Sequence, residues 1–518
     1  MTNNNTRFDN YAYALTSLNA ARTPDKTALT YRGERYSFAR FNATVNQTAN
    51  ALLALGVKPG DHIGVLLHDA LPIAETYLAL AKIGATIIAI NPYWDDDTMQ
   101  AMLEHCEANA MLTQQCDSER MQPLRAAPGK ISNWIQLEAE ELPADTGSLL
   151  ANRENASTDE PALGASGSDP LAFFFTSGTT GLPKAVIHTH SSCRAMADIF
   201  YAIPQAEDSM WGTGTIIWGI GFPCTIGAAL HVGMPIVLED DFGPAGLLDA
   251  IQRQPISHFC VIPSFFSDLL GNHPHDDIDL DSVRVILLGG EPLAENLLKK
   301  IQQRLPGAGV YSFYGQTEAP YTCIGRLDDG SQASNSSGIA RPSCAAQVLD
   351  PAGKPVQEVP GELAVTGPHL MTAYYRQPEK TDEALRDGWF FSGDLAIQGN
   401  DGRITVLGRR EDAIVREGQF VQPLTIEDVV LGIGGVTEAG AVGVARGDEH
   451  AIVLAVTTVD NGPSEEDIAS ALADKLPAHA RPDRIVIADE LPHSNDNSGG
   501  KGKLLRREIR ERYAHLVE

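Results

Sequence analysis

The chain has 518 residues, 43% of them hydrophobic, with 39 basic and 67 acidic side chains and a formal net charge of −28. That length predicts about three or four folding units, and the acidic surface excludes nucleic acid and anionic membranes as expected partners. Seven cysteines with no CxxC pair support neither a disulfide framework nor a structural zinc site. The amino terminus carries no basic stretch followed by an apolar run, and the apolar stretch 216–229 is too short and glycine-rich to span a bilayer. The expectation is a cytoplasmic protein without membrane insertion.

In chain order, Phe38–Leu55 has apolar residues at helical spacing, His62–Leu67 is strand-like, Ala74–Ile83 is helical and Thr86–Ile90 reads as a buried strand. The polar, turn-rich stretch Thr146–Pro170 reads as a surface linker. Alternation resumes at Pro235–Leu238, Leu247–Gln252, His258–Ile262 and Val283–Leu288, which predicts parallel α/β layers. From Gly361 to Leu407 short strands are separated by Gly and Asp turns. The last 110 or so residues predict a separate small α+β unit ending in a glycine-rich loop and a basic helix.

Within this order, residues 173–184 read FFFTSGTTGLPK. Three aromatics make a buried strand, and a hydroxyl- and glycine-rich turn ends in Lys184. Such a turn converges backbone N–H groups, hydroxyls and an ammonium on an anion, as a phosphate requires. The glycines and lysine do not fit a Walker A loop. His188-x-His190 has no third ligand at metal-site spacing, and His273-x-His275, near Asp276, Asp277 and Asp279, reads as a solvated loop, so neither predicts a metal site.

The chain resembles the adenylate-forming superfamily of acyl-CoA synthetases, adenylation domains and luciferases. Besides the TSGTTG-x-PK run, Tyr314–Glu318 matches YGxTE, Gly361–Leu363 matches GEL and Ser392–Leu395 matches [ST]GDL. Gly408–Asp412 is similar to GRxKD and Gly502–Arg506 to GKxxR, all in family order. The resemblance implies a large N-terminal domain, residues 1–407, of layered α/β subdomains plus a small β-barrel-like subdomain. A small mobile α+β C-terminal domain, residues 408–518, follows and carries Lys503.

The resemblance further implies a reaction, in which ATP and Mg²⁺ convert a carboxylate to an acyl adenylate and coenzyme A then takes the acyl group. Thr176, Ser177, Gly178, Thr179, Thr180, Gly181 and Lys184 would hold the β- and γ-phosphates. Thr317 would touch the α-phosphate and Glu318 would ligate Mg²⁺. Tyr314 would stack on adenine opposite Gly289, Gly290, Glu291 and Pro292, while Asp394 and Arg409 would serve the ribose. Lys503 would contact the carboxylate and the α-phosphate, with Lys501 a nearby competitor; the arginines after it read as a solvated helix face. Glu411 takes the hinge position, and Glu417 and Gly418 take the thiol tunnel. Trp218 would gate the acyl pocket, lined by Gly289 and Gly315. The glycine at 315, where acetate-specific relatives have Trp, and the lack of Asp or Glu in 211–233 favour an apolar aliphatic or aromatic acid. Transfer to a carrier-protein thiol or an amine is the alternative second step, and a homodimer stays open.

Overall fold

The computed structural model describes residues 9–126, 131–138, 140, 142–176, 182–206, 210–212, 220–241, 243–273, 278–328, 330, 336–447, 449–493 and 504–517. Among them two large sheets and two small ones carry the architecture. In one large sheet the strands Pro170–Thr176, Thr86–Ala89, His62–Leu66, Ala110–Thr113, Asn133–Gln136 and Thr146–Ser148 run parallel, in that spatial order. The strand Lys184–Thr189 folds back antiparallel on Pro170–Thr176 and receives Ala373–Tyr374 at the edge. Strands of this sheet such as Thr86–Ala89 and Ala110–Thr113 are buried along their whole length, which is why they read as unbroken apolar runs.

The second large sheet is parallel through Ile236–Leu238, Trp211–Gly212, His258–Val261, Val285–Leu288 and Gly309–Gln316. It turns antiparallel at Ala319–Arg326 and continues into Ser336–Ala340, Ile404–Arg409, Trp389–Gln398, Gly361–Thr366 and Ala345–Leu349. These last strands share a core in which Ala319 and Cys323 meet Val348, Leu363, Val365, Phe390 and Ile404, so the antiparallel end curls around a small core of its own. Beyond Arg409, Val436–Arg446 and Glu449–Thr458 form a hairpin joined in parallel by Arg484–Ile487. The helices Pro423–Leu431, Glu465–Lys475 and Arg506–Tyr513 accompany this small sheet.

The helix predicted over Phe38–Leu55 is observed at Phe38–Ala54, where Ser37 caps it by accepting from the Arg40 amide at 3.2 Å. That predicted from Ala74 starts earlier, at Ala70, and stops at Gly84, whose φ of +86° suits a helix C-terminus. One expectation is corrected. Residues 146–170 are not a free surface linker: they contribute the strand Thr146–Ser148 and the helix Leu149–Arg153. The amides of Asn46 and Asn50 then donate to the carbonyls of Thr158 and Ser157, and Glu160 pairs with the fully buried Lys82 at 2.7 Å. Polar composition here reflects hydrogen-bonded anchoring of an irregular chain. No helix among the described residues is long and apolar enough to cross a membrane.

Candidate active site

The ends of the glycine-rich turn are fixed by strand pairing, because Thr176 and Lys184 face each other in the antiparallel ladder. Ser177, Gly178, Thr179, Thr180 and Gly181 lie outside the described residues, as do Trp218, Lys501 and Lys503. The hydroxyl of Thr176 is buried and unpartnered among the described residues. A buried hydroxyl without a partner is costly, and an anionic ligand at the mouth of this turn would satisfy it.

Lys184 projects from the start of its strand to the turn Thr317–Glu318. Its Nζ donates to Tyr374 Oη at 3.1 Å, lies 4.2 Å from the Tyr374 ring centroid and 3.7 Å from Glu318 Oε1. Tyr374 Oη in turn donates to Glu318 Oε1 at 2.7 Å. Burial first, and Glu318 second, push the Tyr374 hydroxyl far above its ordinary range, so it stays a donor. Glu318 is only 5% exposed, yet its carboxylate is held by one ammonium and one phenol, both on Oε1. A hard, nearly buried carboxylate beside an unpartnered hydroxyl is the donor chemistry that Mg²⁺ and phosphate require. Tyr374 was absent from the sequence expectations. No spacing links position 374 to 184 or 318, and only the edge pairing of Tyr374 with Val186 brings it there.

The second group is built where Trp389–Gln398 pairs with Ile404–Arg409. Asp394 and Arg409 are direct partners in that ladder, and Arg409 Nε lies 3.4 Å from Asp394 Oδ1. Asp394 Oδ2 accepts from Tyr314 Oη at 2.6 Å and from Gln316 Nε2 at 2.7 Å. Burial, then Asp394, raises the Tyr314 hydroxyl well above its usual range. Gln316 also donates to the Ser392 carbonyl at 3.0 Å, tying the Tyr314–Glu318 segment to the Ser392–Leu395 segment. This residue occupies the free slot of its motif, so nothing in the pattern singled it out.

Thr317 is held from behind. Its carbonyl accepts from His188 Nε2 at 2.7 Å, which fixes the tautomer because a carbonyl cannot donate. Burial pulls His188 down to about 4, so the ring is neutral at pH 7. His190 opens the following helix, and its Nδ1 accepts from the Tyr11 amide at 3.1 Å. The two histidines therefore serve different elements.

The pocket expectations need correction. A Cβ on Gly315 would sit 2.4 Å from the Tyr321 nitrogen and 2.9 Å from the Ala319 carbonyl oxygen. The glycine is demanded by close approach of the following strand's backbone, so its side-chain direction opens on no cavity. A Cβ on Gly289 would meet the Phe313 ring at 2.6 Å, which makes Phe313 the wall at that position. Gly290 has φ of +81°, as a sharp turn requires. Glu291 in the same bend accepts from the Ser264 amide at 3.0 Å and its hydroxyl at 3.1 Å, so it satisfies the first turn of the helix Pro263–Asn272, with Pro292 continuing the bend.

The predicted hinge residue Glu411 is exposed within the short helix Arg410–Asp412. Its neighbours are anchored on opposite sides. Arg410 pairs with Glu362 at 2.8 Å, and Asp412 pairs with Arg510 of the last long helix at 2.6 Å. Arg506 pairs with Glu427 at 2.7 Å, so this helix does not present only solvated arginines. Glu417 and Gly418 form the two-residue turn between Ile414–Arg416 and Gln419–Val421, with φ of +54° and +68°. Nothing lies within 4 Å of a Cβ built on Gly418. Among the described residues, no hydrogen bond joins this turn to the Asp394 or Glu318 groups.

Two buried carboxylates on two mixed sheets, Glu318 beside Lys184 and Asp394 beside Tyr314 and Arg409, mark a nucleotide-binding α/β enzyme. The chain belongs to the AMP-binding enzyme family, whose pattern matches residues 17–375, with the AMP-binding enzyme C-terminal domain at residues 425–498. Feruloyl-CoA synthase of Amycolatopsis sp is 26% identical over 502 residues, covering 95% of this chain and 97% of that protein. Medium-chain fatty-acid–CoA ligase of Escherichia coli (strain K12) is 28% identical over 516 residues, covering 96% and 90%. Among solved structures, ATP-bound MatB from Rhodopseudomonas palustris superposes with a TM-score of 0.87 at 23% identity, over 98% of this chain and 100% of that one.

Proposed function

We propose that the protein is an AMP-forming carboxylate–CoA ligase that activates an apolar aliphatic or aromatic acid. The observation that carries this reading is the Lys184–Tyr374–Glu318 junction at the mouth of the turn beginning at Thr176. It couples a cation, a buried carboxylate and an orphaned hydroxyl where phosphate charge would gather. The match of both family domains, and relatives that are CoA ligases over their whole length, support the reaction class.

In this reading the turn 176–184 binds the β- and γ-phosphates, with Lys184 neutralising charge. Thr317, positioned by His188, meets the α-phosphate. Glu318 holds Mg²⁺, which when bound supplies further charge neutralisation on the phosphate oxygens. Tyr314 packs against adenine with its hydroxyl kept on Asp394. Asp394 Oδ1, engaged among the described residues by Arg409 alone at 3.4 Å, is the acceptor left for a ribose hydroxyl, and Arg409 supports it. Lys503 bridges the acid carboxylate and the α-phosphate as the carboxylate oxygen attacks phosphorus and pyrophosphate leaves. The unit beyond Gly408 then turns about Glu411, the Gly418 turn enters, and the CoA thiol displaces AMP.

The test is ATP–pyrophosphate exchange and thioester formation across a panel of acids, with and without Mg²⁺ and CoA. Exchange should require an acid and Mg²⁺, and thioester should appear only with CoA. Lys503→Ala should lower adenylation by about 10²-fold or more while thioester formation from a presynthesised adenylate survives. Release of ADP in place of AMP would overturn the assignment, and acyl transfer to an amine or a carrier protein in preference to CoA would overturn its second half.

A further inference from the structure

A second group of ligand-type side chains lies at the carboxyl edge of the first sheet. His68 follows the strand His62–Leu66, and Cys116 and Asp117 close the strand Ala110–Thr113; the two strands are parallel neighbours in register, Leu66 opposite Thr113. Their connections therefore leave the sheet side by side. His68 Nε2 lies 2.8 Å from Asp117 Oδ2, Cys116 Sγ lies 3.8 Å from the same oxygen, and all three ligand atoms fall within 4.8 Å of one another. The carboxyl edge of parallel strands is where this kind of sheet presents ligand sites.

We propose that His68, Cys116 and Asp117 form a three-ligand site for a zinc-type divalent cation. A tetrahedral ion at about 2.0–2.3 Å from each ligand sets them roughly 3.4–3.8 Å apart. The thiol–carboxylate separation already meets that, and the imidazole–carboxylate pair has to open by only about half an ångström. A thiol, an imidazole and one carboxylate select zinc-like ions over Mg²⁺ and Ca²⁺, which want oxygen alone.

The surroundings favour a cation. Gln114 ties the two loops together, its Oε1 accepting from the His68 amide at 2.5 Å and its Nε2 donating to Asp69 at 2.9 Å. Glu138, just beyond the next strand, accepts from the Gln115 amide at 2.8 Å. Asp69, Asp117 and Glu138 thus converge on the group. Arg32 offsets part of this charge, pairing with Asp69 at 3.3 Å as well as with Asp240 at 2.6 Å, while Arg120 pairs with Asp96. Binding of the ion releases the thiol proton, and His68 coordinates through Nε2 with its own proton on Nδ1. Because the ligands stand at positions 68, 116 and 117, no short motif reveals them.

The experiment uses the full chain, treated with a chelator under reducing conditions and titrated with Co²⁺ and then Zn²⁺. One cobalt per chain should give a thiolate-to-metal charge-transfer band that Zn²⁺ removes. Cys116→Ser should abolish the band, His68→Ala should weaken binding at least about 10-fold, and Cys344→Ser, at the other thiol that is not fully buried, should leave it intact. Carboxylate-dependent exchange, unchanged in all three, would show that they fold. Independently of any variant, Zn²⁺ should protect Cys116 from alkylation as read by peptide mass spectrometry. Absence of a band in the natural protein, a band that survives Cys116→Ser, or alkylation of Cys116 at equal rates with and without Zn²⁺ would each overturn the site.

Discussion

Tyr374 is the residue on which the junction of cation and carboxylate turns. Removing its hydroxyl takes away a hydrogen bond to a charged group, about 1.5–3 kcal/mol, while the ring stays under Lys184. Tyr374→Phe should therefore reduce acid-dependent pyrophosphate exchange by roughly 10- to 100-fold and raise the Mg²⁺ concentration needed for half-maximal rate. A variant with an unchanged Mg²⁺ dependence would leave Tyr374 a packing residue. Two glycines form a contrasting pair. Gly315→Ala drives a Cβ into the backbone of Tyr321 and should cost several kcal/mol of stability. Gly418→Ala, in open space at φ of +68°, should cost only about 1 kcal/mol, read as the shift in denaturant midpoint.

Among the elements, the helices Phe38–Ala54 and Ala70–Ile83 and the segment up to Glu160 are held together by one ammonium. Four oxygens, on Ser17, Asn42, Asn46 and Glu160, surround Lys82 Nζ at 2.7–2.9 Å and share its three N–H donors. Burial, opposed by Glu160, pulls this lysine down to about 8. Lys82→Met leaves those acceptors without their donor and should destabilise the N-terminal sheet by about 3 kcal/mol, discounted because Glu160 keeps contact with water. This knot also marks the limit of what the sequence discloses. Helices and buried strands show in apolar period, so Phe38–Ala54, His62–Leu66 and Thr86–Ala89 were legible to within a few residues. The anchoring of residues 154–160 was not, because asparagine amides bonding to carbonyls across more than 100 positions leave no local pattern. The site divides in the same way. Asp394, Arg409, Lys184 and Glu318 stand in contiguous motifs, whereas Tyr374, Gln316 and His188 owe their places to strand pairing and gave no signal of a role. Gly315 misled because a missing side chain reads as space, and only coordinates show what fills it.

Across the whole molecule, acid stability should be set largely by three buried neutral imidazoles. Burial pulls His188 and His190 down to about 4, and His369 to about 3. An unfolded histidine titrates near 6.5, so between about pH 6.5 and 4 the unfolded chain binds protons that the folded chain refuses. Stability therefore falls as pH falls through that window, by up to about 1.4 kcal/mol per ring for each pH unit. Urea midpoints at pH 7 and pH 5 should differ clearly, and equal midpoints would mean that these rings accept protons without unfolding. In the proposed cycle the residue at 411 has its own consequence for motion. Arg410 pairs with Glu362 on one side and Asp412 with Arg510 on the other, so the slack between them is one residue long. Peptide planes do not twist, so the four soft torsions between the Cα atoms of 410 and 412 would carry any swing. A coupling that short would behave as a swivel and not as a tether: it would permit a change of angle with almost no change of reach.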